Sequence, residues 1–145
     1  MQARLVAFDS LIGLLYYQQR NKPINGYHKN IKGFYIMSKL LTNLLNKATQ
    51  SGKANVNGRI SYGYGYKGPL ESKYSATIDN EILTFTHWGT KTLELDIKGR
   101  TIIEYYGESV SDRDSLNDVL SYFNLSNLGR FHFYPSKDLF ELEEN

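Results

Sequence analysis

Between Thr92 and Phe123 the hydrophobic positions change period once. Leu93, Leu95 and Ile97 alternate with Thr92, Glu94 and Asp96, a pattern that predicts a strand with one buried and one wet face. Lys98-Gly99 predicts a turn whose glycine supplies a positive φ, and Arg100 to Tyr106 returns as the second strand of a hairpin. Glu81 to Trp88 predicts a third strand beside them. After Gly107 the period lengthens: Leu116, Val119, Leu120 and Phe123 fall at i, i+3, i+4 and i+7, one apolar stripe of a helix. Ser111, with Asp114 three residues later, reads as the capping box of that helix, and Asp112 and Asp114 lie at the positive end of its dipole.

Upstream, Ser38 to Gly52 predicts another helix. Ser38 can cap it, Leu40, Leu41, Leu44, Leu45 and Ala48 form its apolar face, and Gly52 suits the C′ position. Asn57-Gly58 is a strong signal for a tight hairpin turn. In Arg59 to Tyr66 the alternation puts Tyr62, Tyr64 and Tyr66 on one strand face with glycines on the other, and Pro69 closes the piece. Tyr74 to Ile78 leads through Asp79-Asn80 into the meander; Arg130 to Tyr134 and Asp138 to Leu142 read as short strands split by Pro135. The order predicts an α+β fold: a mostly antiparallel β-sheet, a β-meander plus short C-terminal strands, packed against two amphipathic helices.

A hydrophobic content of 41% is enough for a packed core, and the absence of cysteine removes disulfides, thiolate nucleophiles and Cys-based zinc sites. The net charge of +2 conceals an asymmetry: residues 1–67 sum to +9 and residues 68–145 to −7. Mutual attraction of the two halves explains the split more simply than a nucleic-acid surface does.

Residues 1–36 stand apart. Met1 to Tyr17 is apolar, but Asp9 interrupts it, no small-residue cleavage site follows, and it falls short of the ~20 residues of a membrane span. No membrane association is expected, and the cytoplasm of a host cell is the expected compartment. Residues 18–36, with Pro23 and Asn25-Gly26, read as a linker. Lys32-Gly33 must be encoded AAR-GGN, a purine-rich run, and Phe34-Tyr35-Ile36 makes an A/T-rich spacer before Met37, the layout of a bacterial or phage start site. Residues 1–36 are therefore expected to be an upstream extension of a single α+β domain spanning 37–145, whose own net charge is −2.

No catalytic signature is present. His87-Trp88-Gly89-Thr90 reads first as a β-turn with an anchoring Trp; His87 beside Trp88 would also suit a base or small ligand. The hydroxyls and Arg113 at the start of the second helix resemble an anion site, yet Asp112 and Asp114 would repel a phosphate, which leaves Arg113 to pair with a neighbouring acid or a partner. A metal site could be drawn from Glu104, Asp112, Asp114, Asp118 and His132, but on a helix only Asp114 and Asp118 share a face. No metal and no cofactor is expected. Tyr62, Tyr64 and Tyr66 near Lys53, Arg59 and Lys67 form the best nucleic-acid signal, but a tyrosine row is also how a sheet covers a hydrophobic face, and that is the preferred reading.

Thr86-His87-Trp88-Gly89-Thr90 followed by Tyr106 to Asn117, YGESVSDRDSLN, resembles a pattern in small accessory proteins of bacteriophages and mobile elements of Gram-positive bacteria. The resemblance implies a phage accessory protein, a class that includes antagonists of host defence such as anti-CRISPR proteins. The leading expectation is thus a non-enzymatic protein that binds a host protein, with Tyr62, Tyr64, Tyr66, His87, Trp88 and Arg113 as candidate binding residues. A nucleic-acid-binding module using the Tyr row ranks second, and a metal-dependent hydrolase third.

Overall fold

A computed structural model describes residues 37–145, and the readings made above on residues 1–36 lie outside the described residues. The fold is α+β. Helix α1 (Lys39–Ser51) is followed by β1 (Lys53–Ser61), β2 (Lys67–Asp79), β3 (Ile82–His87), β4 (Thr90–Asp96) and β5 (Thr101–Tyr105), then by helix α2 (Val110–Tyr122), β6 (Arg130–Tyr134) and β7 (Leu139–Glu143). Strands β1 to β5 form one antiparallel sheet in sequence order, and β6 and β7 form a second, two-stranded one. No helix among the described residues is long and apolar enough to cross a membrane. The described residues divide into two compact units, residues 44–106 and residues 37–43 with 107–145.

Helix α1 starts where the sequence places it. The Leu41 N–H donates to Ser38 Oγ at 3.1 Å, satisfying one of the orphan donors of the first turn. It ends at Gly52, at φ +87, whose N–H donates to the Ala48 carbonyl. Leu41, Leu44, Leu45 and Ala48 are buried, but Leu40 is 43% exposed and does not belong to the apolar face.

In the unit of residues 44–106 the core lies on one face of the meander, where Ala76, Leu83, Phe85, Leu93 and Leu95 are fully buried. Two-residue loops connect β2, β3 and β4. Asn80 and Glu81 (φ 49 and 67) join β2 to β3, and Trp88 and Gly89 (φ 48 and 79) join β3 to β4, the left-handed pairs that match the twist of a tight hairpin. In the loop before β5 it is Arg100, not Gly99, that takes the positive φ of 54. Gly99 serves a close approach instead: its N–H donates to Asp96 Oδ1 at 2.7 Å, and an added Cβ would stand 2.6 Å from that carboxylate. Thr92, expected on the wet face, is buried. The register slips between Phe85 and Thr86, which makes Thr92 the extra residue of a bulge, and its hydroxyl turns in toward the Phe85 carbonyl.

In the other unit α2 buries Leu116, Val119 and Leu120, with Phe123 just beyond its end. Its cap is Ser109, two residues before the expected Ser111. The Asp112 N–H donates to Ser109 Oγ at 3.1 Å, while Asp112 Oδ2 accepts from the Ser109 hydroxyl at 2.8 Å and the Glu108 N–H at 3.0 Å. Ser109→Ala should therefore cost ~1 kcal/mol and Ser111→Ala less than about 0.5 kcal/mol. Urea midpoints check this, and the reverse order would restore the expected cap. Strands β6 and β7 are joined through a single 3-10 turn, Pro135–Lys137, and Asp138 in the left-handed region. Gly107 leaves room for the Phe140 ring, which a Cβ there would strike.

Candidate functional site: a tyrosine-tipped hairpin arm

Strands β1 and β2 outrun the sheet. β3 pairs with β2 only between Tyr74 and Asp79, so Asn57 to Ser61 and Lys67 to Ser72 continue as a two-stranded ribbon without a third neighbour. Pro69, expected to end the piece, lies inside β2 in this ribbon, where one edge of the strand has no ladder to complete. Asn57-Gly58 is not a turn either: the two residues pair with Ser72 and Glu71 in the middle of the hairpin. Gly58 lets the Trp88 ring come close, since a Cβ there would stand a tight 3.2 Å from Cη2 of Trp88 and from Lys73 Cβ.

The turn falls instead on the tyrosine row. Gly63, Tyr64 and Gly65 take φ values of 85, 50 and 74 in succession. The Tyr62 N–H donates to the Tyr66 carbonyl at 2.9 Å, and the Tyr66 N–H donates to the Gly63 carbonyl at 2.8 Å. The three rings therefore do not line one strand face or cover a core. They stand in water, Tyr62 at 63%, Tyr66 at 73% and Tyr64 wholly exposed. Alternating Tyr and Gly reads as a strand by period, but three left-handed residues in a row are incompatible with one. Two devices stiffen the tip. The Tyr62 ring lies against Gly68, where a Cβ would be only 2.9 Å away, and Arg59 Nη1 donates to the Gly68 carbonyl at 3.1 Å. Leu70, paired with Arg59 in the ribbon, is exposed too, and the sequence pattern gave no hint of it.

His87 and Trp88 sit where the arm joins the sheet. The His87 ring stacks on Tyr74 at 4.6 Å and 13°, and Tyr74 stacks in turn on the buried Phe85 at 5.7 Å and 20°. The Trp88 N–H donates to the Lys73 carbonyl, and its ring reaches the place Gly58 leaves open. Both residues thus extend the core toward the arm: this is a turn with an anchoring Trp. Arg113 belongs to the other unit, where Nε and Nη2 both hold Asp114 Oδ1 at 2.8 Å.

The carboxylates considered for a metal are engaged in separate contacts. Asp112 serves the cap, Asp118 accepts from the Ser38 N–H at 3.2 Å, and His132 meets Glu143 at 2.9 Å. Glu104 and Glu94 meet Lys91 at 2.7 and 2.8 Å, and the hydrogen bonds that Lys91 donates to them, that to Glu104 first, hold its ammonium above the usual lysine range. No three His, Asp or Glu side chains among the described residues are grouped to hold a metal ion. No protein-family model, no curated protein and no solved structure matches this chain, so its function is to be read from the geometry of the arm.

Proposed function

We propose that this chain is a small non-enzymatic binding protein of bacteriophage or mobile-element origin, and that it engages a host protein through the tip of the β1–β2 arm. The observation that carries this reading is the exposure of Tyr62, Tyr64 and Tyr66 on a loop held by its own hydrogen bonds. A tyrosine in water adds little to the fold. Held in place it is a strong contact residue, because it has only two side-chain torsions to freeze and presents a broad apolar ring with a polar end. The tip from Ile60 to Tyr66 carries no charge, while Arg59 and Lys67 flank it. That arrangement suits an uncharged contact centre with a charged rim. Tyrosine, serine and glycine are also the residues that protein-binding loops favour. Blocking a host defence protein is the activity that the phage-like pattern implies.

The test is a Tyr64→Ala/Tyr66→Ala double variant. Its stability should stay within about 0.5 kcal/mol of wild type, while affinity for a host protein captured by the wild-type chain and then purified should fall at least tenfold, about 1.4 kcal/mol. Equal affinity of the two chains for that protein would remove the tip from the interface and the reading with it.

A further inference from the structure

The ribbon has a second surface with different chemistry. Strand pairing sets Lys53, Asn55, Asn57, Arg59 and Ser61 on one face of β1, and opposite them on β2 stand Thr77, Ser75, Ser72, Leu70 and Lys67. From the Lys53–Thr77 pair to the tip this face carries three cations and no acid. Glu71, the single acid of the two stretches, is paired with Gly58 on the opposite face. None of Lys53, Arg59 and Lys67 is paired with a carboxylate among the described residues; Arg59 donates only to the Gly68 carbonyl. The sheet's acids gather elsewhere on its wet side, Asp79 at the far end of β2 and Glu94, Asp96 and Glu104 on β4 and β5.

The three cations also form a line. Lys53 and Arg59 are six residues apart on an extended strand, about 20 Å, and Lys67 lies across from Ser61, roughly 7 Å further on. Between them the Asn55 amide donates to Asn57 Oδ1 at 2.9 Å, which leaves an amide oxygen and N–H hydrogens facing out beside the Ser72 hydroxyl.

We propose that this face binds the backbone of single-stranded RNA. One row of unpaired cations along an extended ribbon follows one phosphate backbone, not the two of a duplex. The amides and hydroxyl between the cations offer both donors and acceptors to a ribose 2′-OH, which DNA lacks. This face shares Arg59 and Lys67 with the rim of the protein contact at the tip, but Lys53 and the Asn55–Asn57 pair lie outside that contact and Tyr64 is not on the line.

The experiment is fluorescence anisotropy of a short labelled oligouridine RNA against the full chain, from low to moderate salt. A Lys53→Gln/Arg59→Gln/Lys67→Gln variant is compared with wild type, and circular dichroism melts confirm that both are folded. Three phosphates at about 0.7 each give the face a contribution of about 2 to the salt slope. The triple variant should therefore lose about 2 from the slope and at least tenfold in low-salt affinity. A Lys53→Arg/Lys67→Arg variant should keep wild-type binding; if the triple variant fails to fold, single Gln substitutions replace it, each lowering the slope by about 0.7. Binding left unchanged by removal of the three charges would overturn the proposal, since it would place the RNA on other cations. Equal or tighter binding of the matching DNA strand or of duplex RNA would overturn the choice of ligand. Loss of RNA binding in Tyr64→Ala with the cations intact would move the site to the tip.

Discussion

Asn117→Leu should lower stability by about 2–6 kcal/mol, far more than an exchange of similar volume costs on a surface. Asn117 is buried on α2, and both ends of its amide are used on a single residue of β6: Nδ2 donates to the Phe131 carbonyl at 3.0 Å, and the Phe131 N–H donates to Oδ1 at 2.9 Å. On its other side Phe131 pairs with Leu142 of β7. The amide thus acts as a missing strand, satisfying the edge of a sheet that has only two. Leucine fills the space, shuts out water and removes both of these bonds from the buried Phe131 backbone, at about 1–3 kcal/mol each. Guanidinium unfolding with an unchanged slope and a shifted midpoint would show the loss. A loss below about 0.5 kcal/mol would mean that these bonds do not hold β6 to the helix.

What could be read from the sequence was whatever depended on a repeating period. The alternation of Leu93 and Leu95 and the helical spacing of Leu116, Val119 and Leu120 reflect which side of an element meets the core, and all five are fully buried or nearly so. What depended on a single backbone angle was less legible. Two overlapping Ser-x-x-Asp frames, Ser109 with Asp112 and Ser111 with Asp114, both spell a capping box. Only the first is closed, because Asp112 is buried against the Ser109 hydroxyl and the Glu108 N–H while Asp114 is taken by Arg113. Asn57-Gly58 carries the usual residues of a tight turn, yet the chain turns five residues later, where glycines bracket Tyr64. Asn117 gave no signal at all, since an asparagine inside a helix names no partner until β6 lies beside it. The site suffered most from this limit. Tyr62, Tyr64 and Tyr66 were legible as a group, but whether the group is core or surface hangs on the φ of Tyr64, and His87 and Trp88 proved to be the arm's anchor.

Phe85→Ala and Tyr64→Gly should then have very unequal effects on stability, although both remove an aromatic ring from the same compact unit. Phe85 is fully buried among the meander's core residues and carries the stacked Tyr74 ring, so truncation removes a large apolar area and leaves a cavity, at about 3–5 kcal/mol. That loss would also loosen Tyr74 and His87, the rings that tie the arm to the core. Tyr64 has its ring in solvent and its backbone at φ 50, a region that costs a residue with a Cβ roughly 1 kcal/mol and glycine nothing. Glycine loses more chain entropy on folding, by about 0.5–1 kcal/mol, so the two terms nearly cancel. Tyr64→Gly should melt within a few degrees of wild type, about 2–4 °C either way for a change of this size, and still lose a ring of the proposed tip contact. Thermal melts of the two variants read out the difference directly. A Tyr64→Gly variant that unfolds as readily as Phe85→Ala would show that the tyrosine tip is part of the core after all.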